Sequence, residues 1–80
     1  MDQQSIADQI IELLEPYLGP NNARTAVKTF ARRVFNRTPE TLTIDDLPAL
    51  LEGMRPMLRT LVGEDSAESV LQAIQREVKA

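Results

Sequence analysis

The sequence predicts an all-α fold, a single small four-helix domain whose third helix is central and bent near Pro56. Apolar residues recur at three- and four-residue spacing in four segments, and no segment alternates with period two over a useful length. Two of the three glycines, Gly19 and Gly63, fall just past the ends of such segments, where a left-handed position wants no side chain. The 80 residues leave room for one core, and no internal repeat, low-complexity tract or long linker divides them. Residues 1–80 therefore read as one domain, with helices over about 5–18, 22–37, 44–62 and 65–79 and some fraying at each end.

The first helix opens on Ser5 and Asp8, which have the spacing of a capping box, and stops at Gly19-Pro20. Ile6, Ile10, Leu13, Leu14, Tyr17 and Leu18 share one side, and Asp8, Glu12 and Glu15 share the other. The second helix is expected to start after Asn21 or Asn22, both good N-caps, and to close before Pro39. Its inward residues are Ala23, Val27, Phe30, Ala31 and Val34, with Phe35 at the margin. Leu42, in the polar connection that follows, is expected to tuck back toward the core.

Thr43 and Asp46 repeat the capping spacing, and Pro48 suits a first helical turn. Leu47, Leu50, Leu51, Met54, Met57, Leu58, Leu61 and Val62 then stay in phase through Gly53 and Pro56, which favours one helix over two. Their stripe spans about 140° at 100° per residue, wider than a surface helix needs. The expectation is that the other three helices cover it; the alternative is that one edge remains open as a dimer or partner groove. The fourth helix is expected to begin near Asp65 or Ser66, with Asp65 and Glu68 as its cap, and to turn Ala67, Val70, Leu71, Ile74 and Val78 inward.

Composition removes many functions. Without Cys or His, the chain has no disulfide, no thiol nucleophile, no imidazole base and no cysteine–histidine metal site. No stretch is apolar for the roughly 18 residues a membrane span needs, and no signal pattern opens the chain, so a soluble cytoplasmic protein without a membrane partner is expected. The adjacent acids Asp45-Asp46 and Glu64-Asp65 diverge from one another on a helix and are accounted for by capping and the helix dipole. With no glycine-rich phosphate loop and no convergent oxygen set, the expectation is a protein that is not an enzyme and carries no cofactor or metal.

The run Gly63-Glu64-Asp65-Ser66-Ala67-Glu68-Ser69-Val70 resembles the Gly-x-Asp-Ser-Leu-acid run around the prosthetic-group serine of acyl and peptidyl carrier proteins, which are also small acidic four-helix domains. The resemblance covers about eight residues and implies a modified Ser66. The chain departs from it in having Ala67 for the usual leucine and only 14 residues after the serine, where the carriers have two further helices. An Asp-Ser pair at a helix start is also what N-capping alone produces.

The net charge of −3 conceals a segregation. Residues 1–20 hold Asp2, Asp8, Glu12 and Glu15 and no base, whereas residues 21–39 hold Arg24, Lys28, Arg32, Arg33 and Arg37 and no acid. The basic side chains flank the apolar stripe of their helix, where their stems can cover apolar surface and their heads can pair with acidic neighbours. In the alternative they contact an acidic protein surface or phosphates. The acidic face of the first helix is a solvated surface or a dock for a basic partner, including the second helix of another copy. The expected function is a non-catalytic protein–protein interaction or regulatory module, self-association included, with Arg24, Lys28, Arg32, Arg33, Arg37, Asp8, Glu12 and Glu15 as the candidate contact residues. A nucleic-acid accessory factor using the basic helix is the alternative, weakened by the low pI of 4.8.

Overall fold

The structure, a computed structural model, describes residues 5–79. Four helices follow in order, α1 (Ile6–Leu18), α2 (Pro20–Phe35), α3 (Leu47–Val62) and α4 (Glu64–Glu77). Two 3-10 turns, Pro39–Thr41 and Ile44–Asp46, carry the chain from α2 to α3. The most extensive packing is α1 on α2 and α3 on α4, so the domain is a pair of helical hairpins. Contacts of α2 with α3, and of α1 with α4 and α3, join them. As a central helix should, α3 touches all three others; α1 does the same.

Each hairpin turns on one glycine. Gly19 (φ 87°, ψ 157°) and Gly63 (φ 89°, ψ 163°) occupy a region of backbone space essentially closed to L side chains. Each closes one helix and opens the next. The Gly19 amide donates to the Glu15 carbonyl at 2.8 Å while its carbonyl accepts from the Ala23 amide at 2.9 Å. Gly63 repeats the pattern with Arg59 at 3.1 Å and Ala67 at 2.9 Å.

This economy moves two helix starts forward from their expected positions. Pro20, with its preset φ and no amide hydrogen to satisfy, opens α2 ahead of the asparagines. Asn22 Nδ2 instead donates to the Leu18 carbonyl at 3.1 Å, satisfying the end of α1. In α4 the Asp65–Glu68 cap does not form, because Gly63 is the cap and Glu64 already lies in the helix. Ser66 thus sits inside the first turn. The caps at Ser5, whose Oγ accepts from the Asp8 amide at 3.0 Å, and at Thr43 with Asp46 do form. Helix α3 runs unbroken through Pro56, which lies on its exposed side, and the Thr60 hydroxyl donates to the Pro56 carbonyl at 3.1 Å.

The sequence shows no repeat, but the structure has one. Displacing the chain by 44 positions brings Gly19 onto Gly63 and aligns most buried positions of the two hairpins, although buried Ala31 meets exposed Gln75 and exposed Val34 meets buried Val78. Ile6, Ala7, Ile10, Leu14, Ala23, Ala26, Val27 and Phe30 correspond to Leu50, Leu51, Met54, Leu58, Ala67, Val70, Leu71 and Ile74, and all sixteen are buried. Besides the glycines only Asp2/Asp46, Leu14/Leu58, Ala23/Ala67, Arg32/Arg76 and Val34/Val78 are identical, too few to reveal the repeat from residue identity. Leu42 and Val78 complete the core from outside the helices, Leu42 as expected.

The hairpins meet differently on their two sides. A Cβ on Gly53 of α3 would lie 2.9 Å from Val34 Cγ2 and 3.7 Å from Phe30 Cδ1, so the missing side chain lets α2 come close. At the equivalent position in α1 stands Gln9. Its amide donates to the Lys79 carbonyl at 2.6 Å and accepts from the Lys79 amide at 2.9 Å, fastening the chain beyond α4 to α1.

Three residues expected inside are exposed. Val34 faces a glycine, which cannot cover it. Tyr17 and Leu61 each lie two residues before a hairpin glycine, and the returning first turns, 20–22 and 64–66, carry no large apolar side chain to shield them. Met57 and Val62 are half-buried.

Candidate interaction surface

Helix α2 projects between its neighbours with Arg24, Thr25, Lys28, Thr29, Arg32 and Arg33 all exposed. Thr25, Lys28, Thr29, Arg32 and Arg33 line an open concavity of about 660 Å³ on its outer side. Toward α1, Arg24 and Lys28 share a second concavity, of about 590 Å³, with Asp8, Ile11 and Glu40. The basic and acidic candidates of the first two helices are therefore adjacent, but they do not form one cluster. Asp8 and Glu12 are exposed and Glu15 is half-exposed, on the side of α1 away from the core.

The expectation that the bases pair within the bundle holds for one of five. Arg37 Nη2 lies 2.7 Å from Asp46 Oδ2, and its guanidinium stands 4.9 Å from the Phe35 ring centroid. Its charge is tied to the α2–α3 connection, so Arg37 leaves the candidate surface. Arg33 lies 5.3 Å over the Phe30 ring, a cation–π contact. Among the described residues, Arg24, Lys28, Arg32 and Arg33 form no ion pair with a carboxylate. Further ion pairs lie in the other hairpin, where Arg55 bridges Glu68 and Glu52 and Arg59 lies 3.8 Å from Glu68. Glu68 thus ties α4 to α3 and does not cap its own helix.

The repeat shows that the scaffold does not require three of these four cations, whereas Arg32 has a basic counterpart in Arg76. The α4 positions equivalent to Arg24, Lys28 and Arg33 are Glu68, Gln72 and Glu77, on a helix that packs in the same register.

Beside the basic surface lies an apolar groove of about 310 Å³ between α2 and α3. Leu18, Ala26, Phe30, Met57 and Leu61 line it, and Thr25 and Thr29 form the wall it shares with the basic concavity. Leu61 is 59 % exposed, the most exposed large apolar side chain among the described residues. Contrary to the expectation that the other three helices cover the wide α3 stripe, one edge is left open at Leu61. The width of the stripe was the signal for this groove in the sequence. Its α2 wall carried no comparable signal, because Ala26 and Phe30 serve the core as well.

Asp46 has a displaced pKa. The Thr43 backbone amide, donating to its Oδ2 at 2.9 Å, holds it below the usual carboxylate range, with the Thr43 hydroxyl and Arg37 adding to the effect and partial burial opposing it. A lowered folded-state pKa means that Asp46 stabilises the fold above the unfolded carboxylate value, about 4, and that this contribution disappears as pH falls through the lower folded value. Asp46→Asn is therefore expected to melt below the unmodified chain at neutral pH and to converge with it under acid conditions. A melting-temperature difference independent of pH between about 7 and 2 would refute the assignment.

No family model, curated protein or solved structure matches the chain. Among the described residues no group of three or more His, Cys, Asp or Glu could hold a metal ion, and no helix is long and apolar enough to cross a membrane.

Proposed function

We propose that this chain is a non-catalytic interaction module of the cytoplasm, a small adaptor or regulatory domain that binds protein through α2. The observation that carries the reading is the row of exposed cations on α2, Arg24, Lys28, Arg32 and Arg33, that form no ion pair among the described residues. Like charges gathered on one helix repel one another, and a partner's carboxylates would relieve that repulsion. The acidic face of α1, with Asp8, Glu12 and Glu15, gives a second copy of the chain the complementary charge for self-association. The candidate surface is thus Arg24, Lys28, Arg32 and Arg33, with the α1 acids on its flank.

A nucleic-acid accessory role is the second reading, favoured by the four-residue spacing of Arg24, Lys28 and Arg32, which suits successive phosphates. Capture from lysate by the immobilised domain, with and without nuclease and at two salt concentrations, separates the two. A protein retained after nuclease, and lost by the double variant Lys28→Glu/Arg32→Glu, supports the module. Both substituted residues are exposed, so each change is expected to alter stability by only about 0.5 kcal/mol. Nucleic acid as the sole captured species would overturn the module, particularly if its affinity fell on a log–log salt plot with a slope of about −0.9 per phosphate contacted.

A further inference from the structure

The groove between α2 and α3 and the basic surface beside it together define what they can hold. We infer that the groove takes an acidic amphipathic helix from a partner protein, an inference that rests on the interaction reading above and specifies its partner. Phe30 and Ala26 on α2, and Met57 and Leu61 on α3, are pairs four residues apart that border the groove. Such ridges accept a third helix whose own apolar residues recur every three or four positions. From Asn22 to Phe30 the α2 wall extends about 12 Å, enough for two turns.

An extended segment fits less well. Both walls are helices whose backbone groups are already bonded internally, so a strand laid between them would bury amide and carbonyl groups without partners, whereas a helix satisfies its own. Charge then sets the flank. With its apolar face in the groove, the docked helix would cross the Thr25–Thr29 wall and bring its next face to Lys28, Arg32 and Arg33. Carboxylates there would meet cations that have no intramolecular ion-pair partner among the described residues.

A second copy of the chain is a poor occupant. Its α1 offers Asp8, Glu12 and Glu15 outward, but the exposed large apolar side chain of α1, Tyr17, lies on the opposite side of that helix. Such a dimer would satisfy the charges and leave the groove open.

The test is selection of a displayed library of helical peptides of about 14 residues, each position drawn from Leu, Ile, Phe, Ala, Glu and Lys, against the intact domain. Recovered sequences are expected to carry large apolar residues at three- and four-residue spacing and an excess of Glu over Lys of about tenfold on one flank. Leu61→Ser should weaken the selected peptides by about tenfold or more, since it removes the most exposed apolar wall. Selection against Lys28→Glu/Arg32→Glu should recover peptides in which Lys replaces Glu. Peptides without apolar spacing, peptides indifferent to both variants, or no enrichment at all would overturn the helix-in-groove inference. If the double variant still abolished capture of a protein from lysate, the interaction module would stand while this partner assignment fell.

Discussion

Leu58→Ala is expected to remove about 2–5 kcal/mol of unfolding free energy, a large share of the roughly 4–12 kcal/mol typical for a chain of this length. Leu58 has no exposed surface and lies in α3 one turn after Met54, also fully enclosed, so truncation forfeits apolar burial and opens a cavity. Leu14 is the equivalent residue of α1 and equally buried, so Leu14→Ala should also cost about 2–5 kcal/mol. Urea titrations of the two variants measure both quantities. A near-native midpoint for either variant would remove that residue from the core.

The second large effect belongs to the hairpin glycines. Gly63→Ala should cost about 1–3 kcal/mol, the usual penalty for holding an L residue in this part of backbone space. Crowding contributes nothing, because a Cβ at either Gly63 or Gly19 would find no atom within 4 Å. That separation of causes allows a decisive control. D-alanine at position 63, introduced by chemical synthesis of the chain, favours positive φ and restricts the unfolded state, so it should match or exceed glycine in thermal stability. If L- and D-alanine were equally destabilising, backbone strain would not be the reason for glycine.

The sequence makes the four helices legible for a physical reason. Core burial demands apolar residues every three or four positions, and Gly19 and Gly63 mark the breaks. Helix starts were less legible because asparagine, aspartate and serine are good caps wherever they stand. At Asn22 and Asp65, however, a preceding glycine already supplies the turn, so Pro20 and Glu64 enter their helices first. The exposure of Leu61 could not be read from phase, since α3 presents it on the same stripe as the buried Leu58; only the short apolar reach of α4's first turn leaves it uncovered. On the candidate surface the clustering of bases was evident, but their pairing was not. Arg37 finds Asp46 because the 3-10 turns fold the connection back, a tertiary event with no local signature.

The matched hairpins also bear on stoichiometry. Two copies of one hairpin assembled as a homodimer would present every surface twice, and any partner site would come in pairs. Joining the halves through residues 36–46 lifts that constraint, because a change in one half is no longer copied into the other. The two halves differ along that line, with Arg24, Lys28 and Arg33 on α2 where α4 has Glu68, Gln72 and Glu77, and with Gly53 where α1 has Gln9. As the proposed interaction module, the chain combines matched hairpin registers with a one-sided charge. It would therefore engage one partner per chain, where its symmetric counterpart would bridge two.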